Sequence, residues 1–191
     1  YGVAFEKMRA SDLVLIDLEG NVVDSSYTGG KVNAAGFVIH SAIHDARADL
    51  HCIIHTHTAS GMAVAAQRDG LLPLTQHALK FYGNLAYHTY EGIALSLEER
   101  ERLVADLGSH KAMILRNHGL LAAGGSVAAA FHEIYFLERA CQAQIQAMSA
   151  GVALTIPSEE VCRHTAAQFG RDGIDGIIDM ALQAALSLID E

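Results

Sequence analysis

Basic residues are scarce and dispersed. The chain has 13 Lys and Arg against 22 Asp and Glu, a net charge of -9. No stretch gathers them into a basic patch, which argues against a nucleic-acid partner and against an anionic membrane surface. No apolar run reaches the roughly 18 to 20 residues that a transmembrane helix requires. No secretory leader pattern is present, and because the chain opens on Tyr1 without Met, further residues are expected upstream. Cysteine is limited to Cys52, Cys141 and Cys162. That odd number, without metal-type spacing, fits reduced thiols in a cytoplasmic protein. No Gly-x-Ser-x-Gly nucleophile motif occurs, and Gly29-Gly30-Lys31 lacks the rest of a phosphate loop. There is no internal repeat, linker or low-complexity tract.

What is present is a large apolar fraction and many histidines. Hydrophobic residues make up 51% of 191, enough for a well-buried core and incompatible with disorder. Eleven histidines are many for this length. Two of them, His55 and His57, end the apolar segment Cys52-Ile53-Ile54-His55-Thr56-His57. Read as a short buried strand, this segment projects residues i and i+2 from one face. A third histidine lies in Arg116-Asn117-His118-Gly119, which reads as a tight turn. Together the three form a facial set of nitrogen ligands for one divalent ion, zinc or similar, with a coordination position left open. Such an ion acts as a Lewis acid on a carbonyl or an enediolate.

The rest of the chain reads as alternating strands and helices. Leu13 to Asp17 and Val22-Val23 are predicted to form a hairpin around Glu19-Gly20-Asn21. Asn33 is a plausible N-cap for a helix from Ala34 to Ala46. A helix from Ala59 to Gln67 is stopped by Asp69-Gly70, and 71 to 93 reads as irregular. Ser96 and Glu99 make a capping box for a helix to Leu107. Strands at 112–116 and 120–123 flank the Asn-His-Gly turn. Gly124-Gly125-Ser126 opens a long helix to about Ala150, and two more helices follow Pro157-Ser158. The expected fold class is α/β, a three-layer α/β/α sandwich around a central mixed, largely antiparallel sheet. The expected division is one domain over 1–151 and a C-terminal helical extension over 152–191, used in assembly.

Other candidates carry less. His40 and His44 share a helix face at i, i+4. His51 sits at the strand entry. His77 lies in the irregular segment, and His88, His110, His132 and His164 read as surface or structural. Glu138 can face inward from the long helix, but beside Arg139 it reads as a surface residue, as does Glu133. No carboxylate is placed beside the three histidines, although a proton-transfer step would need a base.

The order of these elements resembles the class II aldolase/adducin family over residues 1 to about 151. The blocks that carry the likeness are Cys52-Ile-Ile-His-Thr-His-Thr58, Gly70-Leu-Leu-Pro-Leu74 and Leu115-Arg-Asn-His-Gly-Leu120, with the long helix behind them. The resemblance implies a cytoplasmic homotetramer with sites at subunit interfaces and one zinc ion held by His55, His57 and His118. It also implies an aldehyde-lyase acting on a small hydroxy-carbonyl or sugar-derived substrate through an enediolate. Two parts of the enzyme pattern are absent. The Ser-Ser-Glu of the aldolases, which binds phosphate and moves the proton, aligns with Ala34-Ala35-Gly36. Their Ser-Gly or Thr-Gly pair aligns with Tyr1-Gly2. An aromatic residue reaching the neighbouring subunit's site falls near His77. Candidates for the proton carrier are therefore metal-bound water, His77, Tyr82 and Tyr87. Asn33, Gly36 and His40 are candidates for substrate contact. The block Val32 to Ile43 looks closer to adducin heads, so a non-catalytic binding or scaffold domain that keeps the metal is the alternative.

Overall fold

The computed structural model describes residues 3–23, 32–93, 97–171 and 173–189. They form seven helices and four strands: α1 (Ala34–Ala46), β1 (Cys52–Thr56), α2 (Ala59–Ala65), α3 (Gln76–Leu79), β2 (Ala86–His88), α4 (Leu97–Leu107), β3 (Ala112–Leu115), β4 (Gly119–Gly124), α5 (Val127–Ser149), α6 (Glu159–Phe169) and α7 (Ile174–Leu186). The chain divides into two compact units, Tyr1–Ala48 with Glu91–Val104, and Asp49–Tyr90 with Ala105–Glu191.

The second unit holds the sheet, in the order β1-β4-β3-β2. β1 and β3 both pair antiparallel with β4, and β2 runs parallel to β3. The mixed, largely antiparallel sheet expected from the sequence is thus found. β3 and β4 are buried along their whole length, which explains why they read as continuous apolar runs rather than alternating ones. Ile114, Leu120 and Ala122 pack with Val64, Ala65, Ile134, Leu137 and Cys141. Ile54 joins this cluster, so strand alternation turns Ile53 and His55 to the opposite face.

α5 is the main support. Ser126 caps it by accepting from the Ala129 amide, and Ile134, Leu137 and Cys141 form its buried stripe. Burial of a side chain of this size is worth about 1.5–3 kcal/mol. Cys141 is fully buried, and that burial pushes its thiol up to about 12. Gly151 follows α5 at φ 64° and turns the chain toward α6, which starts on the Ser158 cap.

In the first unit, α1 spans the expected residues and Asn33 caps it, its Oδ1 accepting from the Ala35 amide at 3.2 Å. The predicted hairpin is reduced to a single antiparallel bridge between Ile16 and Val22. Main-chain bonds from Asp17 to Asn21 at 3.0 Å and from Val23 to Leu15 at 2.9 Å join the two arms, and the Asp17 carboxylate closes the turn by accepting from the Glu19 and Asn21 amides at 3.0 and 2.8 Å. Leu13 and Leu15 are left exposed. The segment expected to be irregular contains α3 and β2. They are only four and three residues long, too short for periodicity to show. Tyr1, Gly2, Gly29, Gly30, Lys31 and Ser96 lie outside the described residues.

Candidate metal centre

The three histidines of the sequence motif come together. The ring centroids of His55, His57 and His118 lie 4.6 to 4.8 Å apart, each pair edge to face. One nitrogen from each falls within 4.8 Å of the others. His55 and His57 come from the end of β1, and His118 from the turn between β3 and β4.

Hydrogen bonding fixes which nitrogen His55 offers. Its Nδ1 lies 2.8 Å from the Leu120 carbonyl oxygen, which can only accept. Nδ1 therefore carries the proton, and the neutral ring presents its lone pair at Nε2. That Nε2 is 2.8 Å from Nε2 of His57. A ligating histidine with its other nitrogen held by a backbone carbonyl is the arrangement that fixes ring orientation at metal sites. Burial holds the His118 imidazole below its ordinary value, reinforced by His57 and His88, which favours the lone-pair form that a metal needs. A tetrahedral nitrogen site with bonds of about 2.0–2.1 Å needs its ligand atoms about 3.3 Å apart. Small ring movements bring the three nitrogens there, and the donor set fits a divalent ion.

The close approach depends on Gly119. A β-carbon there would collide with the Thr56 carbonyl oxygen and press on the His57 ring. Just before it, Asn117 takes φ 56°, a conformation that asparagine tolerates better than most residues. Its amide donates to the Ala65 carbonyl at 3.1 Å, tying the turn to the end of α2. Arg116 stacks on the Tyr87 ring at 4.3 Å and donates to the Gln67 carbonyl at 2.7 Å. The Tyr87 hydroxyl accepts from the Leu71 amide at 3.0 Å. Gln144, buried on α5, donates to Gln67 and Gly70 at 2.6 and 2.8 Å and accepts from the Leu72 amide at 2.7 Å.

Glu138 faces inward rather than outward. It accepts the Thr58 hydroxyl, one residue past His57, and its other oxygen accepts from Gln142 at 2.9 Å. Thr58 in turn accepts from the Gly61 amide at 3.2 Å as the cap of α2. The signal was legible: Ile134, Leu137, Glu138 and Cys141 share one face at i, i+3, i+4, i+7. Two contacts had no local signal. The buried His88 pairs through Nδ1 with Asp106 at 2.7 Å. Tyr90, exposed, has its ring 6.3 Å from that of His118.

Among the remaining sequence candidates, His77 and Tyr87 have contacts of their own. His77 stacks edge-on against Phe136 at 4.8 Å and lines a separate cleft. Tyr82 sits in the turn after α3, its carbonyl accepting from Asn84. The Tyr87 hydroxyl is used by Leu71, and burial pushes its ionisation up. Asn33, Gly36 and His40 are residues of the α1 segment in the first unit. Burial, with a smaller contribution from His44, lowers the basicity of His40. A β-carbon at Gly36 would meet only the Asn33 side chain, at 3.8 to 3.9 Å, so crowding does not account for glycine at this position.

The pattern of the class II aldolase and adducin N-terminal domain matches residues 1–145. The crystal structure of an aldolase II superfamily protein from Pseudomonas syringae is 50% identical, with a TM-score of 0.91, over 100% of this chain and 75% of that one. L-fuculose 1-phosphate aldolase from Glaciozyma antarctica is 35% identical, with a TM-score of 0.75, over 90% and 66%. Alpha-adducin of Rattus norvegicus is 44% identical over 150 residues, 78% of this chain and 20% of that protein. The chain spans 58% and 59% of the length of two bacterial relatives that it matches at 55% and 48% identity. The chain belongs to the class II aldolase and adducin family.

Proposed function

We propose that this chain carries the metal site of an aldehyde-lyase that cleaves or forms a C–C bond in a small hydroxy-carbonyl or sugar-derived substrate. One observation supports the reading above the rest: three imidazoles converge, with the His55 tautomer set by the Leu120 carbonyl so that Nε2 faces His57. Nitrogen-only ligation with an open position suits zinc. Bound there, the ion supplies Lewis-acid polarisation of the substrate carbonyl and stabilisation of the enediolate charge.

The chain's own residues orient and exclude. Leu120 fixes His55, burial lowers the basicity of His118, and Glu138 with Thr58 pins the segment that follows His57. For the proton carrier, Tyr90 fits better than Tyr87, because Tyr90 is exposed beside His118 and the Tyr87 hydroxyl is occupied. With Ala34, Ala35 and Gly36 in place of Ser-Ser-Glu, the substrate is not expected to be held by a phosphate. The assembly is proposed to be a homotetramer, with the helices after Gly151 contributing to it.

Metal analysis of the purified protein should find about one divalent ion per chain, and His57→Ala should lose it. A His57→Ala protein that holds the ion as tightly as the parent would overturn the site. A metal-dependent aldol cleavage screen over aldehydes and ketones then tests the activity. The second reading is a non-catalytic domain of adducin type, favoured by the 44% identity to alpha-adducin and by Gly36. A silent screen with a full metal complement selects it.

A further inference from the structure

We propose that the cleft between α3, α5, α6 and α7 binds a small organic anion with an apolar body, an aromatic or branched carboxylate, at a site separate from the three histidines. The cleft has a volume of about 720 Å³ and its lining includes none of the triad. That size falls within the range of small-molecule sites. Its walls have two characters. Phe136, Phe169 and Ile177 supply an apolar surface, with the Phe136 and Phe169 rings edge to face at 5.7 Å. His77 and His132 lie against Phe136 at 4.8 and 4.6 Å and bring ring nitrogens to the same wall.

The charge of the lining selects an anion. Among the described residues no carboxylate lines this cleft, and Arg171 is its one permanently charged lining side chain. The Arg171 guanidinium donates to the Gln168 carbonyl at 2.9 Å, which places it on the wall and leaves further N–H donors for a ligand. A planar fork of this kind matches a carboxylate. The neighbouring Lys80 is already neutralised by Glu133 at 2.7 Å, so it does not compete as the anion's partner. A ligand that places its carboxylate on Arg171 can lay an apolar body along Phe136 and Ile177.

Calorimetric titration of the whole chain with benzoate and with neutral benzamide tests this. Saturable benzoate binding, at least tenfold tighter than benzamide, is expected. Arg171→Ala should weaken benzoate about tenfold or more, the scale of one lost charge-assisted contact. Arg163→Ala makes the same change in net charge outside the lining and should leave binding unchanged. His57→Ala should also leave it unchanged, which separates this site from carboxylate ligation at the triad. Equal binding of benzamide, an Arg171→Ala protein indistinguishable from the parent, loss of binding in Arg163→Ala or His57→Ala, or no saturable binding at all would each overturn the proposal.

Discussion

His55 and His57 reach the metal centre by strand alternation, whereas His118 reaches it from a turn held by contacts to Ala65, Gln67 and Tyr87 and, through the Gln67–Leu72 loop, by Gln144. The first arm needs only that Cys52–Thr56 be extended and paired in register with β4. The second arm draws on the Ala65 carbonyl, the loop around Gln67 to Leu72, the β2 residue Tyr87 and the buried amide of Gln144. Local geometry therefore delivers two ligands, and tertiary hydrogen bonding delivers the third. The difference also explains why β1 tolerates a partnerless hydroxyl. Thr56 Oγ1 is buried with no hydrogen-bond partner among the described residues, and the strand forms regardless because main-chain pairing carries it.

The strongest way to break this comparison is Gln144→Ala. It orphans the Leu72 amide and the Gly70 carbonyl in a buried place, and a loss of about 3 kcal/mol is expected. Chemical denaturation measures that loss, and metal titration should show weaker binding through His118. Unchanged metal affinity in a destabilised protein would mean that the turn holds itself. Gly119→Ala acts where the two arms touch. The added methyl forces Thr56 and His57 away, with about 2 kcal/mol of destabilisation and loss of the bound ion in elemental analysis. Full metal retention would show that the arms are not in contact in solution. The smallest effect is expected from Thr56→Val, which keeps the shape and removes the partnerless hydroxyl. Stability should be unchanged or raised by up to about 1 kcal/mol, with metal binding intact. A clear loss of stability would reveal a partner for that hydroxyl.

The same contrast governs what the sequence made legible. Residue spacing in Cys52–His57 put His55 and His57 on one face, the Asn117-His118-Gly119 turn offered the third ring, and the structure brings the three within 4.8 Å; the caps Asn33, Ser126 and Ser158 marked helix starts within a residue. α3 and β2 were not legible because a few residues carry no period. Their boundaries come from Thr75, which caps α3, and from the pairing of β2 with β3. The hairpin at 13–23 was legible as a turn with two paired arms, but not the shortness of its pairing or the exposure of Leu13 and Leu15. Glu138 was legible as to face but not as to partner, because Thr58 lies 80 residues away. The Arg116, Tyr87 and Gln144 lattice joins residues whose types give no hint of one another.

Cys141 has a consequence of its own. A sulfhydryl whose ionisation is displaced to about 12 carries almost no thiolate near neutrality, and it is sealed between the long helix and the sheet. The thiolate, not the thiol, attacks alkylating reagents, so in the native protein this position is inert. Its rate of labelling then records how often the helix lifts away, a built-in clock for the opening of the interior.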